Sequence, residues 1–123
     1  MILDHIGVTV SDAARSKAFF TAALAPLRIV PIAEFGDWFG FGRDGRPQFW
    51  FGAGDLPQLP MHIAFAAENR EQVRQFHAAA LQAGGEDNGA PGLRPQYHVD
   101  YFGAFVISPD GHNVEAVCHR PES

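Results

Sequence analysis

The sequence predicts an α+β fold in which two tandem βαβββ modules form a curled mixed sheet around a central cup. Three observations predict it. The segment DHIGVTVSDAARSKAFFTAAL, Asp4 to Leu24, is echoed by MHIAFAAENREQVRQFHAAALQAGG, Met61 to Gly85. Each copy passes from a short apolar, β-branched run through a polar residue into an apolar pattern of helical period. Each half then turns strand-like and carries an Asp-Gly pair, Asp44-Gly45 and Asp110-Gly111, which is a local hairpin signal.

Setting His5 on His62 aligns Ile6 with Ile63, Asp12 with Asn69, Phe19 with Phe76, Ala22 with Ala79 and Leu24 with Leu81. The first helix starts after Ser11 or Asp12, whose side-chain oxygens can accept free backbone N–H groups, and buries Phe19, Phe20, Ala23 and Leu24. The second starts near Asn69, buries Val73, Phe76, His77, Ala80 and Leu81, and stops at Gly84-Gly85. His77 reads as a packing residue of an amphipathic helix.

IVPIAEF, WFGFGR and PQFWFG supply the later strands of the first half, and YFGAFVIS and NVEAVCH two of the second. The third strand of the second half is weakly marked. The two Asp-Gly turns align at a longer offset than the helices do, so the second half has gained residues, placed in EDNGAPGLRPQYHVD. One domain over 1–123 is expected, with module one about 1–52, a linker about 53–60 and module two about 61–123.

Composition narrows the function. Hydrophobic residues make up 46% and charged ones 19%, as in ordinary globular proteins. The formal charge is −5 with no basic stripe, which disfavours nucleic-acid binding. The opening MILDHIGVTV lacks a basic region, and no apolar run approaches the roughly 18 residues of a membrane span, so a cytoplasmic protein without membrane partners is expected. The single Cys118 cannot form an internal disulfide and reads as a small strand residue.

Strand alternation identifies the chemistry. If Ile6, Val8 and Val10 face the first helix, His5, Gly7 and Thr9 face the cup. By the same parity Ile63 and Phe65 face the second helix and His62 the cup. In the last strand Val114 and Ala116 fit the helix side, which turns Asn113, Glu115 and Val117 inward to the cup. His5, His62 and Glu115 thus form a two-His-one-carboxylate set that leaves coordination positions open for substrate or water.

DHIGVTVSD, HIAFAAEN and SPDGHNVEAV, in this order and spacing, resemble the first strand, its repeat and the closing hairpin of the vicinal oxygen chelate superfamily of glyoxalases, bleomycin-resistance proteins and extradiol dioxygenases. The resemblance covers essentially the whole chain. It implies one divalent ion (Zn, Ni, Mn or Fe(II)) held by His5, His62 and Glu115, which chelates two adjacent oxygens of a small-molecule substrate. It also implies a glyoxalase-like lyase or isomerase, with an Fe(II) extradiol-type dioxygenase and a non-catalytic binding protein as alternatives. A homodimer is expected.

Departures from the family pattern refine this. Counted from the Asp-Gly turns, Phe49 stands where glyoxalase I-like enzymes place a fourth ligand, so a standard glyoxalase I is disfavoured and Phe49 is expected to line the pocket. His98, SPDG and Glu115 follow the spacing of the extradiol signature, but Phe105 stands where its Tyr is expected. The insertion GLRPQYHVDYFG brings Arg94 and Tyr97 as substrate contacts, with His98 and Tyr101 as candidates for moving a proton. His112 and His119 are expected at the solvent-exposed surface, and Trp38 and Trp50 as packing residues.

Overall fold

Two runs of one strand, one helix and three strands follow each other along the chain. The computed structural model describes residues 3–54 and 59–122, so positions 55–58 of the expected linker lie outside the described residues. The first run comprises β1 (Ile6–Val10), α1 (Ala13–Leu24), a 3-10 turn (Ala25–Leu27), β2 (Val30–Phe35), β3 (Trp38–Arg43) and β4 (Arg46–Ala53). The second comprises β5 (His62–Ala66), α2 (Arg70–Gln82), β6 (Glu86–Leu93), β7 (Phe102–Ile107) and β8 (Asn113–Cys118). They form two separate four-stranded sheets, ordered β1-β4-β3-β2 and β5-β8-β7-β6, each mixed because its first strand runs parallel to its last.

Local chemistry sets the ends of these elements. The Asp12 carboxylate accepts from Arg15 N at 3.0 Å to cap α1, and the Asn69 side chain accepts from Gln72 N at 2.8 Å to cap α2. α2 ends where Gly84 takes φ +102, with Gly84 N donating to Leu81 O and Gly85 N to Ala80 O, which uses up two of the last carbonyls. The turn between β3 and β4 has both central residues at positive φ, Asp44 at 54 and Gly45 at 75. This is the twist that fits a two-residue hairpin.

The inner, helix-covered faces of both sheets share one core. Phe19, Phe20, Ala23 and Leu24 of α1 pack into it with Val8, Phe41 and Phe51, and Val73, Phe76 and Ala80 of α2 join from the other side. α1 also packs against α2. Leu81, expected in the core, stands 36% exposed because it sits at the margin of the buried stripe. His77 lies beside it and bonds Asp87 at 3.0 Å. Cys118 is buried, as a small strand residue should be. None of the described helices is long and apolar enough to cross a membrane.

Each hairpin tip grips the first strand of the other run. Arg43, ending β3, donates from Nη2 to Ala66 O at 2.9 Å and from Nε to Leu27 O at 2.8 Å. From the second hairpin, His112 accepts from Met61 N at 3.0 Å through Nδ1, which leaves Nε2–H to point at Thr9 O, 3.4 Å away. His112 is therefore buried, 1% exposed, and not the surface residue the turn sequence suggests. The loop from Ser108 to His112 is wider than a two-residue turn and folds the imidazole under itself, with His112 N donating to Ser108 Oγ.

Asp110 is more than a turn former. Its carboxylate accepts from Ser11 N at 2.7 Å, from Ser11 Oγ at 2.5 Å and from the buried Ser16 hydroxyl, tying the second hairpin to the start of α1. Partial burial pushes this carboxyl up, but the hydrogen bonds from Ser11 and Ser16 outweigh it and hold the group below its ordinary 3.8. A lowered folded-state value means that the stabilisation is complete above the unfolded value and is lost as pH falls through the folded one. Asp110→Asn is expected to cost about 1–2 kcal/mol at neutral pH and to lose part of the acid-side slope. Urea unfolding at neutral and acidic pH measures both.

Candidate active site

The helix-free face of the second sheet gathers the chemistry. Pairing of Ile63 with Val114 and of Ala64 with Glu115 fixes the phase: Ile63 and Val114 turn into the core, while His62, Ala64 and Glu115 turn to the other side. Phe105, paired with Glu115 from β7, shares that side. The parity read from the sequence holds for this sheet.

Glu115 is 0% exposed, and both its oxygens are engaged. Oε1 lies 2.7 Å from His62 Nε2, and Oε2 accepts from the Tyr101 hydroxyl. A carboxylate taken out of water without such partners would cost several kcal/mol. Gly103 eases the arrangement, since a Cβ there would stand tight against Glu115 Oε2 at 3.1 Å and the Tyr101 ring at 3.2 Å. Burial first, then the hydrogen bond to Glu115 and its negative charge, push the Tyr101 phenol well above its ordinary 10.0. Tyr101 is therefore a proton donor to the carboxylate at physiological pH, not a base.

The insertion supplies the surroundings. Arg94 holds Ala90 O at 2.8 Å and lays its guanidinium over Phe105, 5.4 Å from the ring centre, and Phe105 lies 6.0 Å from the His62 ring. Tyr97 and His119 pack edge-on against Tyr101, each 5.1 Å between centroids. His98 is exposed, accepts from Asp100 N through Nδ1 at 3.1 Å, and meets His119 at 5.7 Å. His62, Glu115, Arg94, Tyr97, Tyr101 and Phe105 thus form one cluster, with His98 at its edge through His119. His119 and Gly103 belong to the cluster without having been singled out by the sequence. Gly103 is recognisable only once its ladder place beside Glu115 is known.

Two expected members stand elsewhere. His5 is 60% exposed at the start of β1, its Nδ1 2.7 Å from Asp4 Oδ1, a hydrogen bond that also draws the Asp4 carboxyl down. Among the described residues, no group of three His, Cys, Asp or Glu side chains can hold an ion within one chain. Phe49 does not line the helix-free face. It is 3% exposed on the helix-covered side, against Phe20 at 5.0 Å and Phe65 at 5.2 Å. There it helps wall a cavity of about 330 Å³ at the seam between the modules, together with Ile6, Phe41 and Phe65 and with His5 and His62 on its border.

The reason lies in the ladder. β1 pairs Ile6 with Phe49 and Gly7 with Trp50, whereas β5 pairs Ile63 with Val114 and Ala64 with Glu115. The counterpart of Glu115 is therefore Trp50, the residue after the one found by counting from the turns. A bulge between Phe41 and Gly42 and the different lengths of the two hairpin loops spoil that count.

The donors present fit a divalent ion in kind. His62 contributes an imidazole nitrogen and Glu115 a buried carboxylate already oriented by Tyr101, a pairing suited to Zn, Ni, Mn or Fe(II). One chain brings two of the three expected donors together. His62 and Glu115, 2.7 Å apart, are the two that would hold the ion.

A sequence profile described as Glyoxalase/Bleomycin resistance protein/Dioxygenase superfamily matches residues 2–116. Among solved structures, a glyoxalase/bleomycin resistance protein from Albidiferax ferrireducens T118 is 29% identical, with a TM-score of 0.83 over 98% of this chain and 100% of that one. A glyoxalase/bleomycin resistance protein/dioxygenase family enzyme from Burkholderia phytofirmans PsJN is 14% identical, with a TM-score of 0.73 over 95% of this chain and 98% of that one. Oxidase ChaP-H1 is 22% identical, with a TM-score of 0.73 over 98% and 97%. At these identities the last two share the fold. The curated proteins include no match. With its repeated βαβββ order, paired mixed sheets and a profile match that runs almost end to end, this chain belongs to the glyoxalase/bleomycin resistance protein/dioxygenase superfamily.

Proposed function

We propose that the protein is a divalent-metal-dependent enzyme, a glyoxalase-like lyase or isomerase acting on a small substrate through two adjacent oxygens. The observation that carries this reading is the fully buried Glu115, held between the His62 imidazole and the Tyr101 hydroxyl. A buried carboxylate of this kind is costly to maintain for stability alone. His5 is the third donor and comes from a second copy in a homodimer. Its exposure at the start of an edge strand supports this.

When bound, the ion supplies Lewis-acid stabilisation of an enolate or oxyanion. Tyr101 keeps its proton on the phenol oxygen and orients the Glu115 carboxylate. Arg94, stacked on Phe105, offers its guanidinium edge to a substrate carboxylate or phosphate. Phe105 flanks Glu115 in the ladder, and Tyr97 packs on the Tyr101 ring. His98 engages Asp100 N through Nδ1, so its Nε2 carries the exchangeable proton at the margin of the site.

Metal analysis of protein purified without a nickel column, compared with His62→Ala, tests the proposal. Near-stoichiometric metal in the native protein and at least about tenfold less in the variant is expected. Equal, negligible metal in both sinks the metalloenzyme reading and leaves a non-catalytic binding protein.

A second reading is an Fe(II) extradiol-type dioxygenase. Phe105 removes one expected hydroxyl, but Tyr101 brings a phenol to Glu115 from another position. The fold-level likeness to an oxidase points the same way. Anaerobic Fe(II) reconstitution followed by oxygen uptake across a catechol panel decides, and the absence of uptake removes this reading.

A further inference from the structure

The chemistry around Glu115 makes no use of the seam cavity. Its apolar walls are Ile6, Ile29, Phe41, Phe49, Ile63 and Phe65, drawn from both modules and turned to the helix-covered side. His62 reaches its border, but Glu115, Tyr101, Arg94 and Phe105 do not line it. At about 330 Å³ it is large enough for a small molecule, since ligand pockets span about 300–1,000 Å³.

Two polar side chains of the first hairpin line the same cavity. Arg43 is fixed by Leu27 O and Ala66 O, which accept from Nε and Nη2. Both acceptors are neutral carbonyls, and among the described residues Arg43 has no carboxylate in salt-bridge contact and Nη1 no acceptor. Burial first, then the like charge of Arg28, draw the guanidinium below its ordinary pKa, and Asp44 offsets this only in part. Arg28 has its own partner in Glu68. The cavity is thus bordered by a positive charge without a paired counter-ion.

Gln48 lines the cavity because of the bulge in the hairpin. Phe41 pairs with Phe49 and Gly42 with Pro47, which leaves Gln48 without a ladder partner. A bulge of this kind re-aims a side chain while interrupting the ladder. The Gln48 amide bonds no group among the described residues. The β7–β8 ladder of the second module runs without such a shift. The acid that lines the cavity, Asp4, is taken up by His5 at 2.7 Å.

An anion with an apolar body satisfies these features together. An inorganic anion would leave the apolar walls unused, and an alcohol would leave the guanidinium charge uncompensated. A carboxylate can accept from a guanidinium and an amide at once, while its hydrocarbon removes apolar wall from water.

We propose that the seam cavity is a binding site for a small aliphatic carboxylate, with the acid held by Arg43 and Gln48 and the hydrocarbon seated against Ile29, Phe41, Phe49 and Phe65. Such a ligand touches both modules, so its binding stabilises the folded chain by mass action.

The full-length protein, stripped of metal with EDTA, is titrated at neutral pH with octanoate and with octan-1-ol, and calorimetry and thermal unfolding report binding. Saturable octanoate binding with a rise in melting temperature is expected, and octan-1-ol should bind at least about tenfold more weakly. Arg43→Gln should weaken octanoate by at least about tenfold. Because Arg43 also holds two backbone carbonyls, Gln48→Leu and Ile63→Phe serve as variants that spare those contacts. The first should weaken octanoate by about threefold or more, and the second, whose ring grows into the cavity, by at least about tenfold. Circular dichroism establishes that each variant is folded.

Absence of octanoate binding, equal affinity for the alcohol, or unchanged affinity in folded Arg43→Gln or Ile63→Phe overturns the proposal. The titration runs without metal, so its failure leaves the metalloenzyme reading untouched. Negligible metal in the native protein would sink that reading and leave the carboxylate site standing.

Discussion

Glu115→Gln is expected to preserve the fold and to lower divalent-metal affinity by at least about 100-fold, beyond the loss typical of residues that only support a ligand. The amide has the same shape and can still accept from Tyr101, so the strand and its ladder with Phe105 are kept. What it loses is the negative charge that a hard or borderline cation requires, since a neutral amide oxygen is a poor donor. Competition with a chromophoric chelator measures the affinity, and circular dichroism reports on the fold. Unchanged affinity in a folded variant removes Glu115 from the ligand set.

Phe20→Ala is expected to destabilise the protein by about 3–5 kcal/mol, among the largest effects available to a single core truncation. Phe20 is 0% exposed and stands where α1 meets the first sheet, with ring centroids at 5.0 Å from Phe19, 5.0 Å from Phe49 and 5.2 Å from Phe51. These rings brace one another, so the surroundings collapse poorly into the space left behind. Denaturant unfolding monitored by circular dichroism gives the loss, with Phe35→Ala as control: Phe35 is 80% exposed, and its truncation should stay within about 0.5 kcal/mol. A loss below about 1 kcal/mol at Phe20 would contradict a core shared by the helices and both sheets.

The features readable in the sequence are those set by near neighbours. Asp12 and Asn69 cap the helices because a side-chain oxygen reaches an N–H three residues on. Asp44-Gly45 turns the first hairpin because both residues tolerate positive φ. Period-two and period-3.6 patterns placed His62 and Glu115 on one face and Phe19, Phe20 and Phe76 in the core.

What escaped depends on long-range pairing. β6 runs through Glu86–Leu93, a Gly- and Pro-containing stretch of poor intrinsic strand preference, which β7 recruits in a ladder broken by register shifts. Phe49 and Trp50 exchange roles across a single-residue slip, because each step along a strand reverses the face. The burial of His112 and the reach of Asp110 to Ser11 and Ser16 need partners about a hundred residues away, which no local pattern encodes.

That reach has a consequence for how the chain is made. The contact from Ser11 to Asp110 spans 99 positions and the one from Thr9 to His112 spans 103, so β1 is completed by residues synthesised long after it. While the chain emerges from the ribosome, the first module's phenylalanines have their own sheet to pack on. They do not yet have the opposing helix or the hairpin that locks β1. The first module therefore completes its packing only once the second hairpin has closed back on it, and closure over so long a separation slows that step. In that interval Phe19, Phe20 and Phe41 lack the part of the shared core that the second module supplies, and apolar surface left uncovered in this way favours association between chains.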